Sequence, residues 1–189
     1  RDDVGIHAVL LDHAPGTRGF CAGGDIRMIA ESGAGDGKEA RAFFFTEYRL
    51  NHLLFHYPKP VVALIDGVTM GGGVGISMPA RFRIATENTT YAMPETGIGL
   101  FPDVGGGYFL PRCPGQTGLY LALTSARVGA ADALYIGFAT HFVESAKFPA
   151  MIGALSEIKW EGSAKSCIDA VLARFASKLD EEAVTEAYR

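Results

Sequence analysis

The twenty residues KPVVALIDGVTMGGGVGISM, Lys59–Met78, constrain the fold more than any other stretch of this chain. VVALIDG is an apolar run rich in branched residues, the pattern of a buried strand. The triplet Gly71–Gly73 follows, and GGGVGISMPA reads as a helix that opens on glycines. A second passage is built the same way. In GFCAGGDI, Gly19–Ile26, a strand ends, glycines turn the chain and a helix starts, with Asp25 placed to cap it. Two passages from strand through glycine to helix predict an α/β fold, with strands and helices in separate layers.

The rest of the chain fits that plan. IHAVLLD, Ile6–Asp12, reads as a buried strand. Lys38 to His56 reads as a long helix with Phe44, Tyr48, Leu50, Leu54 and Phe55 on its apolar face. Pro58 and Pro60 end it. RFRIATEN predicts a third strand and ATHFV a last one, with helical segments near Gln116–Leu123 and Ala130–Ile136 between them. From Ser145 onward the pattern is helical and amphipathic. The expected domain is an α/β layered unit with a small, partly parallel sheet and a helical C-terminal part.

At 189 residues the chain is long enough for one domain with a real core. Its 48% hydrophobic and 20% charged residues are an ordinary globular composition. A formal net charge of -4 leaves no broad basic field for nucleic acid. A phosphate-bearing ligand needs local cations, for which Arg18, Arg27 and Lys59 are candidates beside their plain reading as solvated charges. Cys21, Cys113 and Cys167 match neither a disulfide framework nor a metal-binding pair, which predicts a reducing interior. No apolar run is long enough for a membrane span. The chain opens abruptly on a strand, so the N-terminal part of a longer protein is expected to be missing.

The two glycine passages carry chemistry. The first turn of a helix has unpaired N–H donors, so those of Gly24 and Gly72 are free to point outward. Two such donors converging on one carbonyl oxygen make an oxyanion hole. Other motifs fail. Lys38 lacks the Ser or Thr of a P-loop, no GxGxxG follows the first strand, and Ser77 misses the nucleophile elbow because Pro79 replaces its last glycine. His52 and His56 lie four apart without metalloprotease register, which favours packing over zinc. Cys21 could be a thiol nucleophile, but a small buried hydrophobe is the commoner case.

The stretch YAMPETGIGLFPDVGGG, Tyr91–Gly107, sets two acids among apolar residues and glycines. Glu95 is flanked by apolar neighbours, so desolvation is expected to raise its pKa. Asp103 can cap the helix that follows, or serve beside Glu95 in catalysis. Glu47 sits in FFFTEYRLN, where Arg41 and Arg49 make a solvated face the plainer reading.

From about Val9 to Val143 these motifs resemble the crotonase (enoyl-CoA hydratase/isomerase) superfamily, and within it the 3-hydroxyisobutyryl-CoA hydrolase group. The resemblance rests on GFCAGGDI, KPVVALIDGVTMGGGVGISM, RIATENTTYAMPETGIGLFPDVGGGYFLPR and ATHFV. It implies repeated ββα units, a catalytic core over residues 1–144 and a helical segment over 145–189. It implies an acyl-CoA substrate whose thioester oxygen is held by the N–H groups of Gly24 and Gly72. Hydratases of the superfamily carry a glutamate where this chain has Gly75. Their other glutamate is kept as Glu95, and Asp103 matches the hydrolase group.

The resemblance therefore implies catalysis by Glu95 and Asp103, with Glu47 and Gly72 contacting substrate. The expected reaction is hydrolysis of a short-chain 3-hydroxyacyl-CoA, foremost 3-hydroxyisobutyryl-CoA in valine breakdown. It calls for no metal and no cofactor, coenzyme A being part of the substrate, and for no nucleic acid or membrane. A homo-oligomer in the bacterial cytoplasm or the mitochondrial matrix fits the resemblance. An enoyl-CoA isomerase or hydratase, and a non-catalytic acyl-CoA-binding or assembly subunit, are the alternatives.

Overall fold

A computed structural model describes residues 2–188; Arg1 and Arg189, the outer ends of the two expected segments, lie outside the described residues. In chain order the elements are β1 (Val9–Leu11), α1 (Ile26–Ala34), α2 (Lys38–Phe55), β2 (Val61–Ile65), β3 (Val68–Met70) and α3 (Gly72–Ser77). Then come β4 (Phe82–Ala85), β5 (Thr90–Ala92), α4 (Gly106–Phe109), α5 (Thr117–Thr124), α6 (Ala130–Tyr135) and β6 (His141–Phe142). The C-terminal part holds α7 (Phe148–Ser156) and α8 (Ala164–Leu172).

The VVALI run becomes β2, and every one of its residues is buried. It lies inside a four-stranded parallel sheet of order β1-β2-β4-β6. Alternate residues serve opposite faces. Val61, Ala63 and Ile65 pack into one core with Val74, Tyr91, Met93 and Phe138. Val62 and Leu64 pack into a second core with Phe82, Ile84, Met151, Ile168 and Leu172. A strand with core on both sides has no use for polar alternation, which is why the run is continuously apolar.

The chain repeats a ββα step. From β2 it turns through Asp66–Gly67 into β3 and enters α3; from β4 it turns into β5 and enters a 3₁₀ turn, Glu95–Ile98. β3 and β5 pair in parallel as a second small sheet. Cys21 extends that sheet, since its N–H donates to the Val68 carbonyl and its own carbonyl accepts from Met70 N–H at 2.9 Å. Asp66 ties the two steps together by accepting from Thr86 Oγ1 at 2.6 Å and Asn88 Nδ2 at 3.0 Å.

Two expectations need correcting, and two strands were missed. The strand in IHAVLLD is only Val9–Leu11, and as a sheet edge it is half-exposed and not buried. The helix Lys38–Phe55 forms as expected, but only Ala40 in it is buried, and Tyr48, Leu50 and Phe55 of the supposed apolar face are exposed. β3 and β5, three residues each, escaped a periodicity reading because so short a run shows no period. The Asp25 cap is as expected, its side chain accepting from Met28 N–H at 3.1 Å.

The glycine triplet is required by space. A Cβ on Gly73 would overlap the Cys21 carbonyl, with the Cys21 carbonyl carbon itself at 2.7 Å. Gly107, in contrast, has open space around it. Gly73→Ala is expected to lower the unfolding free energy by about 2–4 kcal/mol, because backbone would have to yield. Gly107→Ala should be neutral or stabilise by at most about 1 kcal/mol. Urea denaturation of the two variants measures the contrast.

Candidate functional site

Two backbone turns meet where the Gly19–Ile26 passage crosses the start of α3. A Cβ on Gly23 would stand 3.1 Å from the Gly72 nitrogen, and one on Gly72 would stand 3.3 Å from the Gly23 Cα. Gly71, at φ 50°, turns the chain from β3 into α3 in a conformation suited to glycine. Among the described residues, neither Gly24 N–H nor Gly72 N–H donates to a backbone acceptor. Both donors named by the sequence are therefore available, on turns that touch.

The acids gather at these turns. Glu95 starts the 3₁₀ turn after β5, and Thr96 anchors that turn by donating to the Ala122 carbonyl at 3.0 Å. Gly99, at φ 78°, closes it. Glu95 is only 6% exposed, and its Oε2 is buried without a hydrogen-bond partner. Its Oε1 lies where a Cβ on Gly71 would meet it at 2.9 Å. Glu47, from α2, brings its Oε1 to within 2.6 Å of the position a Gly72 Cβ would take. The missing side chains of Gly71 and Gly72 thus make room for two carboxylates.

Asp103 completes the cluster from the loop before α4. Its Oδ2 accepts from the Tyr48 hydroxyl at 2.7 Å. The sequence also allowed it to cap a helix, but α4 is capped by Gly105 with no side-chain bond, so Asp103 has no such duty. Glu47, expected on a solvated face, is half-buried in the cluster instead. The reason is the course of α2: Phe43 closes on Gly24, Glu47 one turn later closes on Gly72, and the adjacent Tyr48 reaches Asp103. Sequence reasoning passed over Tyr48 as a packing residue. The available signal was its place next to Glu47 on the same helix.

Burial pushes the Glu95 carboxyl above the ordinary value, and the nearby Asp103 charge pushes it further. Glu47 is raised by burial first, then by the charges of Asp103 and Glu95. Burial, then the bond to Asp103, holds the Tyr48 phenol up as well. No cation lies within ion-pair distance of these three acids among the described residues. Arg18 and Arg27 are exposed, and Lys59 donates to the Asp3 carbonyl.

Gly75 is closed from the other side. A Cβ there would overlap the Val104 side chain, with Cγ2 at 2.7 Å and the Val104 carbonyl oxygen at 3.1 Å. Val104 itself holds φ at 41°, a strained value for a β-branched residue, and is buried. The Gly75–Val104 fit therefore sets the backbone beside Asp103. A cavity of about 710 Å³ lies beyond Val104 and Gly105, against the last turns of α2 around Asn51 and Phe55. None of the three acids lines it.

Comparison with known proteins gives three kinds of likeness. The profile of the enoyl-CoA hydratase/isomerase family matches residues 1–189. The mitochondrial 3-hydroxyisobutyryl-CoA hydrolase of Xenopus tropicalis is 60% identical over 150 residues, covering 79% of this chain and 39% of that protein. The small ribosomal subunit protein mS47 of Neurospora crassa is 50% identical over 154 residues, covering 79% of this chain and 30% of that protein. The solved carnitinyl-CoA dehydratase from Mycobacterium thermoresistibile superimposes with a TM-score of 0.85 at 46% identity, covering 95% of this chain and 50% of that one. The chain thus spans well under half the length of these two curated relatives.

A carboxyl whose pKa is higher folded than unfolded binds its proton more tightly in the native state. Its contribution to stability is complete below the ordinary value of 4.5 and is lost as pH rises through the folded value. Glu95→Gln should therefore raise the melting midpoint at pH 7 by about 2–4 °C. The gain should shrink to nothing as pH falls below 4.5. Calorimetry across pH checks both the sign and the window.

Proposed function

Because the chain belongs to the enoyl-CoA hydratase/isomerase family, we propose that it hydrolyses a short-chain 3-hydroxyacyl-CoA thioester. The substrate named first is 3-hydroxyisobutyryl-CoA, giving 3-hydroxyisobutyrate and free CoA in valine breakdown. One observation carries the proposal: a buried Glu95 carboxylate oxygen with no partner, beside glycine turns whose N–H groups are also free. Identity to a 3-hydroxyisobutyryl-CoA hydrolase supports the choice of acyl group.

The chemistry follows from charge. Attack on the thioester carbonyl puts negative charge on its oxygen. The Gly24 and Gly72 N–H groups would hold that oxyanion, and a fixed donor of this kind is worth on the order of 10²–10³ in rate. A desolvated carboxylate is a stronger base and nucleophile than a solvated one, which fits Glu95 for the attacking role. Glu95 either attacks the carbonyl carbon, expelling CoA thiolate and leaving an anhydride that water opens, or draws a proton from the attacking water. In both routes water supplies oxygen and a proton. Asp103 orients that water or the acyl group and passes the proton on. Glu47 and Gly72 would contact substrate. No cofactor is needed beyond the CoA of the substrate.

Val104 bears on the alternative enzyme reading. In the hydratase pattern a second glutamate stands where Gly75 is, and here Val104 occupies the space that side chain would need. Water addition with two glutamates is thereby disfavoured, and hydrolysis by Glu95 with Asp103 is favoured. The mitochondrial relative supports a mitochondrial site of action. No described helix is long and apolar enough to cross a membrane.

A second reading has its own observation. The likeness to a ribosomal subunit protein at 50% identity supports a non-catalytic assembly role on the same fold. Thiol release from 3-hydroxyisobutyryl-CoA by the purified protein separates the two. The hydrolase reading expects steady turnover, with Glu95→Gln and Asp103→Asn each losing about 10²–10⁴-fold in kcat. Absence of CoA release would sink it and favour the assembly role. A single turnover in ¹⁸O-water distinguishes the routes, since label in Glu95 itself marks the anhydride.

A further inference from the structure

The geometry points to Tyr48 as a positioning residue whose hydroxyl aims Asp103, leaving the other carboxylate oxygen free for water or the acyl group. The inference rests on the hydrolase reading and names one more residue in the same site.

The backbone of Asp103 is held from behind. Pro102 precedes it, the Val104 side chain is wedged into the space over Gly75, and Gly106 N–H donates to the Asp103 carbonyl at 2.5 Å. None of these contacts touches the carboxylate. Like-charge repulsion from Glu47 and Glu95 acts on it and would turn it away, toward solvent. No cation stands within ion-pair distance to pull it back among the described residues. The contact that opposes the repulsion is the 2.7 Å bond from Tyr48 to Oδ2. At 2.7 Å the bond has the usual length for a hydroxyl donor. Asp103 Oδ1 has no partner among the described residues and is the oxygen left over for chemistry.

Tyr48 is well placed to be such a support. It is 43% exposed, so the fold makes little use of its burial. Its ring lies 5.7 Å from that of Phe44 on the same helix, a packing contact. It neighbours Glu47, so one stretch of α2 both places the third acid and holds the second. The approach spans 55 residues of sequence.

Tyr48→Phe removes the hydroxyl and keeps the ring. Misplacing a reacting group costs up to about 10²-fold, so kcat for CoA release should fall about 10- to 100-fold. KM should stay within about threefold, because no substrate contact is lost. The melting midpoint should move by no more than about 2 °C, as for an exposed position. The decisive arm is the double variant. If Tyr48 acts through Asp103, then Tyr48→Phe costs nothing further once Asp103→Asn is in place. Full kcat in Tyr48→Phe overturns the assignment, as does a penalty that persists undiminished in the Asp103→Asn background. Wild-type protein that releases no CoA overturns the hydrolase reading, and the role of Tyr48 falls with it; wild-type turnover with an unimpaired Tyr48→Phe overturns the role alone.

Discussion

The structure depends on two stretches of backbone lying closer than any side chain would allow. Gly73 sits against the Cys21 carbonyl, and Gly23 against Gly72. That contact joins the ends of two strands and the starts of the elements that follow them. It is also what leaves N–H groups without partners, because a chain leaving a strand for a helix has donors that neither ladder can use. The same close approach builds the fold and frees the donors. A side chain at Gly73 would disturb both.

A second consequence is electrostatic. The space that Gly71 and Gly72 leave empty is filled by the carboxylates of Glu95 and Glu47, and Asp103 stands near both. Glu95 and Glu47 in this partly buried cluster oppose folding, since burial and the neighbouring charges favour their protonated forms. The two cores on either side of the parallel sheet supply the stability that tolerates this. The acids differ in their surroundings: Glu95 is buried with an unpartnered oxygen, and Asp103 is held by Tyr48.

Much of this was legible beforehand. The continuous apolar run of β2 announced a buried strand, and the two glycine passages announced backbone donors outside any ladder. Glu95 stood out as an acid among apolar neighbours, and burial does raise it. α2 was misread in an instructive way. Its aromatic residues looked like a core-facing stripe, yet the helix serves as a wall of the site, with Phe43, Glu47 and Tyr48 set against Gly24, Gly72 and Asp103. Periodicity reports that a helix has a preferred face. It does not report whether core or a polar cluster lies opposite.

What the sequence determined by itself was local: where strands stop, where glycines must turn, which acids sit in apolar company, and which family the chain resembles. These follow from neighbours along the chain. The tertiary structure decided what meets what. It set Tyr48 on Asp103 across 55 residues, brought Glu47 into a cluster that its own neighbours argued against, and filled the space at Gly75 with Val104. The physical reason is that desolvation, repulsion and steric exclusion act through space, and the distances that govern them exist only once the chain has folded.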